Sequence, residues 1–326
     1  MNHIISTHQF EDRDKLLKLF QVVEKYQRGD WELKPWSYNT PEQIFFVLFY
    51  EPSTRTRFSF ETAILKLGGH VVSSESAAQF SSAVKGESIS DSIRVLAQYQ
   101  PAAIILRHPQ RGAAELAVKA LPDGSKTAII NAGDGDGEHP TQSLLDAYTI
   151  WTEIGRLDDL EIALIGDLKY GRTVHSLIHL LKYSQNIKFH LVAPEALQLP
   201  EEYLTILLDR KISFQLHTDI QELPKTIDVA YMTRLQLERF PSSEWVFYEA
   251  AHQSKYYITK SWLETLKPEA RILHPLPRVK EIEMAVDADL RAAYFRQAGN
   301  GLPVRMALLA AIKKDPYPYC HPFVAG

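Results

Sequence analysis

A chain of 326 residues is long for one core and suits two domains of about 150 residues each. Its hydrophobic content of 45% and charged content of 23% are ordinary for a soluble globular protein, and a formal net charge of −4 leaves no basic excess for a nucleic-acid or acidic-membrane partner. A small anionic substrate stays open, because local arginine and lysine clusters set the field in a cleft. Cys320 is the only cysteine, so neither an internal disulfide nor a thiolate zinc site is expected, and the low count fits a cytoplasmic protein. The start, MNHIISTHQFEDRDKL, shows no signal-peptide pattern, and the strongest apolar run, IFFVLFY (44–50), is too short to cross a bilayer.

Strands are predicted at 44–50, HVVSS (70–74), AAIILR (102–107) and KTAIINAG (126–133). A second series follows at EIALIGD (161–167), KFHLVA (188–193), ISFQLH (212–217), DVAYMT (228–233) and ARILHP (270–275). Amphipathic stretches such as SFETAILKLGG and TQSLLDAYTIWTEIG lie between them. Continuous apolar strands alternating with helices predict parallel sheets covered on both faces. The expected architecture is α/β, with two doubly wound parallel-sheet domains and the active site in the interdomain cleft. The first domain is expected over 1–144 plus 300–326, since LPVRMALLAAIKK should return to it, and the second over 145–299.

The unusual polar clusters follow predicted strands: 53–57, 107–108, 134–142, Arg172, Arg234 and 274–278. Open parallel sheets bind ligands at the carboxyl ends of their strands. In STRTR, Ser53, Thr54, Arg55 and Thr56 sit between an apolar strand and a helix. The free N–H groups of a helix start, the positive end of its dipole and these side chains suit a phosphate. A plain N-cap would need one hydroxyl and no arginine. The Gly-Lys-Ser/Thr ending of a P-loop is missing. Arg107 can pair with phosphate or polarise a carbonyl, or merely snorkel at a strand end. Arg172 and Arg234 can each grip a carboxylate in bidentate fashion, or instead serve structurally, Arg172 capping a helix start or pairing with Glu51 and Arg234 pairing with Glu238. IGDLKYGRT lacks the glycine spacing of a dinucleotide site.

Taken together, STRTRFSFE, HPTQSLLD, IGDLKYGRTVHS, MTRLQLER and HPLPR resemble the aspartate carbamoyltransferase family, in order and over nearly the whole chain. The resemblance implies transfer of the carbamoyl group of carbamoyl phosphate to L-aspartate, giving N-carbamoyl-L-aspartate for pyrimidine synthesis. It implies that Ser53, Thr54, Arg55, Thr56, Arg107, His139 and Gln142 bind carbamoyl phosphate. Arg55, Thr56, Lys85, Arg107 and His139 would be catalytic, with His139 donating to the carbonyl oxygen. Lys85, Arg172, Arg234, Gln236, Leu276 and Pro277 would bind aspartate, with an unusual cis peptide bond aiming the Leu276 carbonyl at the substrate amines. The family also implies a homotrimer in which Ser81 and Lys85 reach the site of the neighbouring chain, and no cofactor or metal. Pro275 stands where ornithine carbamoyltransferases have cysteine, which favours aspartate over ornithine. A catalytically silent scaffolding homologue is the other reading, and association with regulatory chains or a dihydroorotase is left open.

Overall fold

Nine strands form two separate, wholly parallel sheets in the computed structural model, which describes residues 3–29, 43–75, 86–135, 137–235 and 255–312. The first sheet contains β1 (Ile44–Phe49), β2 (His70–Ser74), β3 (Ala103–His108) and β4 (Ala128–Asp134), in the order β2-β1-β3-β4. The second contains β5 (Glu161–Ile165), β6 (Lys188–Val192), β7 (Ser213–His217), β8 (Val229–Met232) and β9 (Arg271–Leu273), in the order β7-β6-β5-β8-β9. All nine strands expected from the apolar runs are present. Strands β3, β4, β5, β6 and β8 are almost wholly buried, as strands covered on both faces must be, whereas β1, central in its sheet, alternates half-buried and buried residues. The edge strands β2 and β7 are largely exposed.

The chain divides into two compact units, Met1–Leu144 with Asn300–Gly326, and Leu145–Gly299. In the first unit, helices α1 (Arg13–Arg28), α2 (Thr54–Lys66), α3 (Ile89–Gln98) and α4 (Ala113–Ala120) accompany the sheet. Helix α1 starts where Asp12 accepts the Lys15 N–H and stops at Gly29, whose φ of 82° suits a residue without a Cβ. The second unit carries α6 (Arg172–Leu181), α7 (Glu201–Asp209) and the short α8 (Lys260–Leu263). The unit boundaries fall inside α5 (Pro140–Ile154) and α9 (Tyr294–Ile312). Within the first unit, Arg305 of α9 donates to the Ser59 hydroxyl at 2.9 Å and lies 5.0 Å over the Phe60 ring, fastening α9 to α2. Among the described residues, no helix is long and apolar enough to cross a membrane.

Candidate active site

Each sheet reverses its winding direction once; Ser53–Thr56, Arg107, Arg172 and Arg234 follow or end the strands at those two places, while His139 and Gln142 follow β4 and Leu276 and Pro277 follow β9. In the first unit, β1 leads outward to β2 while β3 leads the other way to β4, so the switch point lies between β1 and β3. Ser53 to Thr56 follow β1, and Arg107 is near the end of β3. The Tyr50 N–H donates to the Arg107 carbonyl at 2.8 Å, which ties the two strand ends together.

Helix α2 starts directly at Thr54, and Ser53 is its N-cap residue. The Ser53 side chain makes no capping hydrogen bond, so this hydroxyl does not do the ordinary work of an N-cap serine. The N–H groups of Thr54, Arg55 and Thr56 belong to the first helical turn, where a helix has no carbonyl of its own to offer them. Thr56 is buried, whereas Thr54 and Arg55 are exposed. Partial burial lowers the pKa of the Arg55 guanidinium from its ordinary value, and an arginine keeps its charge at neutral pH nonetheless. The second arginine of the motif has a different job. Arg57 pairs with Glu75 at 2.8 Å and with Glu61 at 3.6 Å, bracing α2 against the end of β2.

Arg107 is buried beside Glu51, Nη2 to Oε2 at 3.5 Å, and its Nη1 donates to the Ala132 carbonyl at 3.2 Å. Sequence reasoning offered Glu51 only as an ion-pair partner of Arg172, not of Arg107. Its place just after β1, where the other polar clusters also begin, is the signal that could have found it.

Strand β4 pairs with β3 and continues the same edge: the Gly135 N–H donates to the His108 carbonyl at 2.8 Å. Gly135 has φ +57°, and a Cβ there would meet the Pro109 carbonyl oxygen at 2.3 Å, so only glycine lets these two loops touch. Beyond it, the Asp134 carboxylate accepts the N–H groups of Glu138 (2.7 Å) and Gly112 (2.9 Å), and burial raises its pKa despite those bonds. Glu138 is held by the Ser6 hydroxyl, the Thr7 hydroxyl and the Thr7 N–H at 2.6–2.7 Å. The loop thus delivers His139, 4% exposed, to the start of α5. Its Nδ1 lies 3.5 Å from the Thr141 hydroxyl, and its carbonyl accepts the Gln142 N–H at 2.9 Å. Gln142 is half-buried.

The second unit repeats the pattern. Strand β5 leads to β6 on one side, and β8 leads to β9 on the other, so the switch point lies between β5 and β8. Arg172 opens α6 after β5, and Arg234 follows β8; both are half-buried. Thr233 joins the two loops. Its hydroxyl accepts the Asp167 N–H at 3.0 Å and donates to the Ile165 carbonyl at 2.9 Å. Gly166 has φ +110°, and a Cβ there would lie 2.3 Å from the Thr233 carbonyl oxygen. Asp167 then accepts the Tyr170 N–H at 2.9 Å, and His175 Nε2 donates to the Leu168 carbonyl at 2.9 Å, which shapes the turn before Arg172. The next strand along, β9, ends in the His274–Pro277 turn, where the Leu276–Pro277 peptide bond is cis. Ser81, Lys85 and Gln236 lie outside the described residues.

Two family models match this chain. One, aspartate/ornithine carbamoyltransferase, carbamoyl-P binding domain, covers residues 2–152. The other, aspartate/ornithine carbamoyltransferase, Asp/Orn binding domain, covers 158–312. The aspartate carbamoyltransferase catalytic subunit of Methanothrix thermoacetophila is 47% identical over 316 residues, 96% of this chain and 98% of the relative. Among solved structures, the catalytic subunit of M. jannaschii aspartate transcarbamoylase superposes with a TM-score of 0.85 at 42% identity, over 97% of this chain and 99% of that one. Aspartate transcarbamoylase from Trypanosoma cruzi, solved in complex with carbamoyl phosphate and aspartate, gives 0.84 at 38% identity, over 95% and 96%. Matches of this length and identity carry the whole two-unit architecture, and the chain belongs to the aspartate/ornithine carbamoyltransferase family, among its aspartate carbamoyltransferases.

Proposed function

We propose that this chain transfers the carbamoyl group of carbamoyl phosphate to the amino group of L-aspartate, releasing phosphate and N-carbamoyl-L-aspartate, an early step of pyrimidine synthesis. The observation that carries the reading is the helix start at Ser53, whose hydroxyl makes no cap bond and which follows the strand paired with the one that carries the buried Arg107. An N-terminal turn with a spare hydroxyl and a guanidinium suits a phosphate dianion. In this reading the first unit holds carbamoyl phosphate through Ser53, Thr54, Arg55, Thr56, Arg107, His139 and Gln142. The second holds aspartate, with Arg172 and Arg234 on its carboxylates, aided by Gln236 and the Leu276–Pro277 turn.

The aspartate amine attacks the carbamoyl carbon, and the carbonyl oxygen becomes an oxyanion. Thr56, Arg107 and His139 donate to it, and a single such donor is typically worth about 3–4 kcal/mol of barrier. The C–O bond to phosphate then breaks, and the departing phosphate takes up the amine proton, so no separate base is needed. Positioning and electrostatics supply most of the rate. Two cationic forks fit a dicarboxylate better than they fit ornithine, whose side chain is itself a cation. The proposal extends to a homotrimer, in which Ser81 and Lys85 of a neighbouring copy complete each site, and to the cytoplasm as its compartment.

A colorimetric assay for carbamoyl-aspartate tests the function, with ornithine offered in parallel. Carbamoylation of ornithine alone would overturn the choice of substrate. Mixing Lys85→Ala with Arg55→Ala chains tests the shared site: hybrid trimers should recover activity that neither variant shows, and no recovery after verified subunit exchange would remove Lys85 from the neighbour's site.

A further inference from the structure

His274 follows β9 with only 1% of its surface exposed, and both of its ring nitrogens are committed. The Leu276 N–H donates to Nδ1 at 2.7 Å, so Nδ1 carries no proton. The ring proton therefore sits on Nε2, which donates to Glu281 Oε1 at 2.7 Å. The other Glu281 oxygen accepts the N–H groups of Val279 and Lys280, each at 3.0 Å. Burial would raise the Glu281 carboxyl, but the His274 bond and the backbone N–H bonds, that of Val279 among them, outweigh it and hold the group below its ordinary range.

The anchor is itself anchored. Ile258 N donates to the Glu281 carbonyl and Glu283 N to the Ile258 carbonyl, both at 2.9 Å, around the buried Ile282. The His274 backbone is fixed separately: its N–H donates to Gln297 Oε1 at 2.7 Å, Gln297 Nε2 donates to Asp146 at 2.6 Å, and Asp146 accepts the Tyr231 hydroxyl at 2.7 Å. Leu276, at the end of this chain of bonds, has φ +55°, a conformation that a leucine keeps only where its surroundings impose it.

We propose that His274 is a positioning residue: through the Glu281–His274–Leu276 bonds it fixes the Leu276 backbone, and so the direction of the carbonyl that meets the amine of the second substrate. The proposal rests on the function proposed above, which supplies that substrate. The neutral Nε2–H ring is the only form that can accept from Leu276 while donating to Glu281.

Two substitutions separate the halves of this link. In His274→Asn the side-chain oxygen takes the place of Nδ1 and can accept the Leu276 N–H. In His274→Gln the amide reaches Glu281 and leaves the Leu276 N–H without its acceptor. The Asn variant should keep kcat/KM for aspartate within about threefold, and the Gln variant should lose about thirtyfold or more, as small misplacements of a substrate contact do. The KM for carbamoyl phosphate should hold in both. Equal losses in the two variants, or a loss spread over both substrates, would overturn the proposal. A measurement on the unaltered chain needs no variant to fold: ring 15N shifts should show His274 protonated at Nε2 alone at neutral pH. An Nδ1–H or doubly protonated ring would overturn the proposal as well. Wild-type chain that makes no carbamoyl-aspartate would instead remove the function on which it rests.

Discussion

Glu51 Oε2 lies 3.5 Å from Arg107 Nη2, and the opposite side of the same guanidinium donates to the Ala132 carbonyl. The buried cation is thus gripped at two points before any substrate arrives. A carboxylate this close to a proposed phosphate ligand reduces the local positive charge, so its contribution must lie in aiming the guanidinium. Arg107→Ala should cut kcat/KM about 10²–10³-fold, the usual loss for an oxyanion donor. Glu51→Ala should cost roughly tenfold through misplacement. If Glu51 acts through Arg107, the double variant should be no worse than Arg107→Ala alone. Additive losses in the carbamoyl-aspartate assay would separate the two residues.

Ser53 heads α2 without capping it. Replacing a working N-cap serine by alanine costs about 1 kcal/mol of stability. Ser53→Ala should therefore leave the melting temperature nearly unchanged while raising the KM for carbamoyl phosphate several-fold. A clear fall in melting temperature with unchanged kinetics would return Ser53 to the ordinary capping role.

Gly166 turns the chain from β5 towards Arg172 with φ +110°, and the Thr233 carbonyl oxygen occupies the space a Cβ would need. Gly166→Ala combines a disfavoured backbone with a collision against a main-chain atom, and should cost well over ~1 kcal/mol. Because Thr233 precedes Arg234, the damage should fall on aspartate. Calorimetric titration of the folded variant should show carbamoyl phosphate binding close to wild type and aspartate binding much weakened. Equal weakening of both ligands would argue against a loop-specific effect.

The strands were legible because parallel strands buried on both faces need unbroken apolar runs, as in Ile104, Ile105 and Leu106. The turn proposed to bind phosphate stood out for a related reason, since hydroxyls and arginines between a strand and a helix have few other uses. Pairings across long separations were not. Glu138 meets Ser6 and Thr7, more than 130 residues away, and Arg57 turns to Glu75 instead of joining Arg55. His274 was visible as part of a polar cluster, but its partner Glu281 owes its place to the bonds with Ile258, which nothing in the local pattern announces. Spacing along the chain reports which face a residue occupies, whereas a carboxylate's choice of partner depends on how the loops pack.

Glu161 supplies the pH prediction. Burial would raise its pKa, but the Thr226 hydroxyl, His190 and Lys188 bind its carboxylate and hold it at about 2, against an ordinary 4.5. A carboxyl depressed on folding contributes stability that is fully present above its unfolded value and is lost as pH falls through the folded one. The loss from Glu161 should therefore run from about pH 4.5 down to about pH 2. His190 adds to it: burial lowers its pKa from 6.5, so the unfolded chain takes up a proton first and stability begins to fall below that value. Thermal melts followed by circular dichroism should show an acid limb. Glu161→Gln should lower the melting temperature at neutral pH and flatten the limb, because the amide has no proton to gain. The wild-type and variant curves should draw together near pH 2. Curves that stay parallel from pH 6.5 downwards would show that Glu161 carries none of the acid sensitivity.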